Sequence, residues 1–155
     1  MKIQGLERIL GEHRLFAGLD PEFLSLLAGC ATNRVFPPGA RLAQFGAPVD
    51  KIYLVREGNV AMSLSAPGRG RVRIQTIGAG EVLGLSWLVP PYKWTSDAET
   101  IGQVRAVEMD ADCMRAKCEA DPAIGYAVLK RFVSPLVDRL HAARLQMLDV
   151  YGTAR

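Results

Sequence analysis

The residues best placed to do chemistry in this 155-residue chain lie between Gly78 and Thr100. Gly78 to Gly80 form a turn, Glu81 to Leu83 a short apolar strand, and Gly84 opens a short apolar segment that stops at Pro90 and Pro91. Glycine tolerates positive φ and admits close backbone approach, so a strand followed by Gly and a short helix aims bare N–H groups at whatever lies in front. The chemistry this supports is binding rather than turnover. The amides after Gly84 in Leu85 and Ser86, the hydroxyls of Ser86, Thr95 and Ser96, and the rings of Trp87 and Trp94 could hold a small ligand. The alternative is that Trp87, Leu88 and Val89 fill the space from inside, as aromatic residues do in a core.

Catalysis and metal binding find little support. No nucleophile is spaced with a base near this stretch, His13 and His141 fall on expected helices, and Glu81, Asp97 and Glu99 lack the partner that marks an acid/base pair. Cys30, Cys113 and Cys118 are an odd set with no CxxC pair, far in sequence from either histidine. A disulfide framework, a zinc site and an iron–sulfur site are therefore not expected, and the cysteines read as small buried or half-buried thiols in a reducing compartment. The chain is not expected to be an enzyme. A 49% hydrophobic and 23% charged composition excludes disorder, and a net charge of +3 is too small to argue for nucleic acid. No apolar run approaches membrane-spanning length, and the MKIQGLERILGEH start is too charged for a secretory segment, so a cytoplasmic protein is expected.

The elements that must position the stretch divide the chain at 1–32, 33–110 and 111–150. Ile3, Leu6, Ile9 and Leu10 step at helical spacing, and Asp20-Pro21-Glu22 reads as an N-cap, a proline at N1 and an early acid before a second helix to about Ala31. From Asn33 to Met109 short strands alternate with turn chemistry at Pro37-Pro38-Gly39, Gly46, Glu57-Gly58-Asn59, Ala66-Pro67-Gly68-Arg69-Gly70 and Gly102. About eight strands at this spacing predict a sandwich or barrel. Asp110 caps a short helix, and Asp121-Pro122 opens a helix to about Val150, in which Pro135 is the one expected kink. Leu129, Phe132, Leu136, Leu140, Ala143 and Met147 step by three and four along it, and a seam on a helix of that length predicts a homodimer.

This order of elements resembles the cyclic nucleotide-binding domain of the catabolite-activator (Crp/Fnr-like) regulators. The likeness is carried by Leu15-Phe16-Ala17-Gly18-Leu19, Phe36-Pro37-Pro38-Gly39, the run from Ile52 to Val60, and Gly78-Ala79-Gly80-Glu81-Val82-Leu83-Gly84 at the entrance of the phosphate-binding cassette. It covers almost the whole chain and implies a mainly β fold: a double-stranded β-helix (jelly-roll) barrel with N-terminal helices and a long C-terminal helix. It also implies cyclic AMP or cyclic GMP as ligand, with Gly84, Leu85, Ser86, Trp87, Trp94, Thr95 and Ser96 at the cassette, and the segment from Asp110 to Pro122 as a hinge.

Two departures shape the expectation. Family members place a glutamate after the glycine matched by Gly84, to hold the ribose hydroxyl, and an arginine some ten residues later on the cyclic phosphate. Here Leu85 follows Gly84, Thr95 stands at the arginine's place, and no arginine occurs between Leu85 and Arg105. Such charge-assisted contacts are worth about 1.5–3 kcal/mol each. Their loss weakens binding by about two to four orders of magnitude, at about 1.4 kcal/mol per decade. The second departure is that no helix-turn-helix is expected after the long helix, since the sequence as read runs only to Arg155. Lys130, Arg131, Arg139 and Arg144 are expected on its solvated face, so direct DNA binding is not expected. The chain reads as a stand-alone sensor acting through a protein partner, with a ligand-free scaffold, or a regulator working with a separate DNA-binding partner, as the alternatives.

Overall fold

The computed structural model describes residues 2–153, with side chains from residue 5 to residue 150. Helices α1 (Lys2–Glu12) and α2 (Pro21–Ala28) precede strands β1 (Ala31–Phe36), β2 (Arg41–Ala43), β3 (Lys51–Ala66), β4 (Gly70–Ile77), β5 (Val82–Leu83) and β6 (Asp97–Asp110). Helices α3 (Ala111–Ala120) and α4 (Pro122–Thr153) follow. Ile3 lies outside the residues whose side chains are described, whereas Leu10 is fully buried with Leu6 and Ile9 packed partly beside it.

The caps form as their residue types dictate. Asp20 Oδ1 accepts from Glu22 N at 2.8 Å with Pro21 opening α2. Asp110 Oδ1 accepts from Cys113 N at 2.9 Å, and Asp121 Oδ1 from Ala123 N at 2.9 Å, which fixes where the chain turns from sheet to α3 and from α3 to α4.

The sheet is antiparallel in the order β1-β6-β3-β4, with β2 also on β6 and β5 also on β3. It has six strands among the described residues where about eight were expected, because two glycines bend the chain without ending the pairing. Gly58 at φ 92 sits where the β3–β6 register shifts between Val55 and Asn59, so β3 runs on through the expected Glu57-Gly58-Asn59 turn. A Cβ there would lie 2.4 Å from Gln103 O, which explains why only glycine fits. Gly102 at φ 68 does the same for β6, whose first half pairs with β2 and whose second half pairs with β1. A further register shift between Met62 and Ser63 turns Ser63 inward and leaves Leu64 half-buried, against a simple alternation of Val60, Met62 and Leu64. The fold is the jelly-roll architecture with flanking helices, and its core gathers Ile52, Leu54, Val60, Ile77, Leu83 and Val107 from the strands.

One expectation fails outright. Cys30 and Cys113 form a disulfide, with Cα atoms 5.6 Å apart across 83 residues of sequence. Sequence distance hid the pair. The β1–β6 register places Ala31 opposite Met109, and Asp110 N donates to Cys30 O at 2.9 Å, so the end of α2 lies beside the start of α3. Cys118 remains a free thiol.

His13 ties the N-terminal segment to the sheet rather than standing free on a helix. Its Nδ1 accepts from Leu15 N at 3.1 Å, so Nε2 carries the proton and donates to Val55 O at 3.0 Å. Burial, together with Arg14 and Arg56, pulls its pKa below the usual 6.5. The unfolded chain therefore takes up a proton near pH 6.5 that the folded chain refuses, and stability present above that pH is lost as pH falls below it. Melting curves between pH 7.5 and 5 are expected to show a fall in Tm that is reduced in His13→Gln; an equal fall in both proteins contradicts the assignment.

Candidate ligand site

The cassette begins where β5 ends. Gly84 takes φ 108, ψ 38, a left-handed conformation that starts the 3-10 turn Leu85–Leu88. The first hydrogen bond of that turn comes from Trp87 N to Gly84 O, so the amides of Leu85 and Ser86 precede it. Gly84 is also pressed from one side. A Cβ on it would lie 3.2 Å from Trp94 Cη2 and 3.4 Å from Lys51 O, and the ring of Trp94 occupies the space a side chain would need. Trp94 is in turn held by its backbone, with Trp94 N donating to Ala47 O and Gly46 N to Trp94 O, both at 2.9 Å.

The seven residues expected at this site do not converge on a common opening. Trp87 is fully buried, Trp94 is 7% exposed and Ser96 2% exposed, whereas Leu85 and Ser86 are half-buried and Thr95 faces solvent. Of the two readings open from the sequence, filling from inside describes Trp87. Its ring meets Phe132 of α4 edge-on at 5.2 Å, and Phe132 meets Phe16 of the N-terminal turn at 6.1 Å. Trp87 Nε1 and Ser96 Oγ are buried without a hydrogen-bond partner. Ser96 stands where the resembled family places the small residue after its arginine, and its buried hydroxyl has no partner.

A cyclic nucleotide does not fit these residues in the usual way. Leu85 offers the ribose no acceptor, and Thr95 offers the phosphate no cation. Arg105 pairs with Glu57 at 3.3 Å in an exposed ion pair, and Arg71 lies 3.3 Å from Asp97 and 3.7 Å from Glu99. Both guanidinium groups are already engaged by carboxylates.

The sequence missed the side chains that fasten this region to the helices. Arg115 of α3 donates to Trp87 O and to Asp112 Oδ1, and its guanidinium lies 4.5 Å from the centroid of the Tyr92 ring. Arg131 donates to Leu15 O and Ala17 O, and Arg139 donates to Val82 O. The expected solvated basic face therefore holds for Lys130 and Arg144 and fails for Arg131 and Arg139. Their eight-residue spacing, which puts both on one helical face, was the available signal. Phe132 is corrected likewise: at 5% exposed it packs into its own domain and does not stand on an outward seam with Leu129, Leu136, Leu140 and Met147. The helix continues through Pro135, and every residue from Leu140 to Val150 is exposed, so its second half stands clear of the barrel.

A cavity of about 580 Å³ lies between the β4–β5 turn, the N-terminal turn and α4, reaching from Arg14 and Gly80 to Ala142. A separate groove of about 350 Å³ borders Trp94, with Arg41, Asp50, Lys51 and Tyr53 on its walls.

Comparison with known proteins agrees with this geometry. Residues 33–121 match the family model for the cyclic nucleotide-binding domain. The chain is 32% identical over 149 residues to a CRP-like cAMP-activated global transcriptional regulator of Mycobacterium tuberculosis, covering 96% of this chain and 64% of that relative's length. A cyclic nucleotide-binding-like protein from Brucella abortus superposes with a TM-score of 0.61 at 28% identity, over 74% of this chain and 98% of that one. A cyclic nucleotide-binding domain from Methylobacillus flagellatus superposes with a TM-score of 0.79 over 96% of this chain and 83% of that one, at 20% identity, a likeness of fold. With the jelly roll, the glycine-led cassette and the long final helix in place, the chain belongs to the cyclic nucleotide-binding domain family.

Proposed function

We propose that this domain is a non-enzymatic, regulatory ligand sensor that binds cyclic AMP or cyclic GMP weakly and passes its state through α4 to a second copy of the chain and to a protein partner. The observation that carries the reading is the contact of Trp87 with Phe132: the residue three places after the cassette glycine packs directly on the helix that leaves the domain. Any ligand that moves the 3-10 turn must repack α4, which is the bistable element a sensor needs. The unpartnered Ser96 hydroxyl and Trp87 indole N–H favour a region that still admits a polar guest over a fully settled core.

A ligand-free scaffold is the second reading, favoured by the complete burial of Trp87. Control of transcription through a separate DNA-binding partner is compatible with either. Thermal melts separate the two. At 1 mM a micromolar ligand stabilises by about 4 kcal/mol, roughly 8 °C or more for a domain of this size. Cyclic AMP and cyclic GMP are expected to give no more than about 4 °C, while a panel of small metabolites contains at least one stronger stabiliser. A panel with none favours the scaffold.

A further inference from the structure

The cavity beside α4 carries more positive charge than its surroundings neutralise. Its lining includes Arg14, Lys130, Arg131 and Arg139 against two carboxylates, Glu81 and Asp138. Among the described residues none of the four cations is in an ion pair: those pairs use Arg8, Arg34, Lys51, Arg71, Arg105 and Arg115. Glu81 already accepts from Gly78 N at 3.0 Å. Arg131 and Arg139 are held in place by backbone carbonyls of the N-terminal turn and of β5, so two guanidinium groups are fixed in position before any ligand arrives. Burial of Arg139 opposes its charge, and only Glu81 offsets this. Arg14 crosses Gly80, whose Cβ would lie 3.7 Å from Arg14 Nε, and Lys130 rests 5.0 Å from the centroid of the Tyr126 ring.

We propose that this cavity binds a small metabolite carrying two or more neighbouring negative charges, a phosphate ester or a polycarboxylate, between α4 and the turn that leads into the cassette. A volume of about 580 Å³ suits a metabolite of that size. Fixed guanidinium groups take oxyanions through charge-assisted, paired hydrogen bonds, and a dianion relieves the mutual repulsion of four cations as a monoanion cannot. The ligand would tie α4 to residues 80–82, one strand before Gly84. The site thus names a ligand class for the sensor described above and rests on that reading, although it uses none of the seven cassette residues.

The test uses inorganic pyrophosphate and citrate as probes, titrated calorimetrically at matched ionic strength into the full chain and into Arg14→Gln/Lys130→Gln. Those two side chains hold no backbone carbonyl, so the double variant is expected to melt within a few degrees of the parent. The expected result is a submillimolar dissociation constant for at least one probe, weakened tenfold or more in the double variant. Binding of pyrophosphate alone assigns a phosphate ligand, and of citrate alone a carboxylate. Two silent titrations, or an unchanged constant in the double variant, overturn the proposal. If those titrations fail and the metabolite panel still yields a stabiliser whose effect survives the double substitution, the anion site is wrong and the sensor stands; if the panel yields none, the sensor reading itself fails.

Discussion

Replacing Trp87 with alanine is expected to remove about 3–5 kcal/mol of folding stability, the usual range for deleting a large aromatic from a close-packed core. The ring is fully buried, and its neighbour Phe132 is buried to 5% exposure, so little solvent is available to take up the vacated volume. Phe132→Ala should cost about as much by the same reasoning. The double variant should cost less than the sum by about 0.5–1.5 kcal/mol, the coupling of an edge-on aromatic pair, if the 5.2 Å contact is as described. Trp87→Phe should be milder than Trp87→Ala, because it keeps most of the ring and removes an indole N–H that has no partner. Urea unfolding measures all four. Additive single-variant costs would show that the cassette and α4 are not packed on each other, and the route from ligand to helix would be lost.

Charging the outer row of α4 is expected to abolish self-association. Leu129, Leu136, Leu140 and Met147 are 45%, 55%, 51% and 56% exposed, and Val133, Val137 and Leu148 extend the row. An apolar stripe of this length on a helix of 32 residues, about 48 Å, is the surface a parallel partner helix would cover. Two glutamates, Leu136→Glu and Leu140→Glu, would meet their symmetry mates near the axis of a twofold pairing, adding like-charge repulsion to lost burial. Light scattering at micromolar concentration should give twice the chain mass for the parent and one chain mass for the variant. A parent of one chain mass removes the dimer from the account. The inward turn of Phe132 does not weaken this expectation, since the row closes around Leu129, Val133 and Leu136 without it.

How far the sequence could be read depended on how local each signal was. The caps at Asp20, Asp110 and Asp121 are decided within three residues, and each forms its expected hydrogen bond. The long helix and its apolar row follow from periodicity alone, whereas the side to which Phe132 turns depends on Trp87 and Phe16, 45 and 116 residues away by numbering. Gly58 and Gly102 were legible as glycines of turns that separate strands. Only pairing with β6 and β3 shows that they bend strands instead of ending them. The disulfide of Cys30 with Cys113 and the anchoring of Arg131 and Arg139 share the same origin in tertiary contact. At the cassette, glycine and its neighbours were found by type, while the closure of the space by Trp87 and Trp94 required the packing itself.

The central claim is that the scaffold of a nucleotide sensor is present without the acid and the cation that grip the nucleotide. Calorimetric titration of cyclic AMP and cyclic GMP into the unmodified chain tests it most directly. A dissociation constant weaker than about 100 µM is predicted for both, given about two to four decades lost with the two contacts. A constant of one micromolar or tighter for either nucleotide would contradict it.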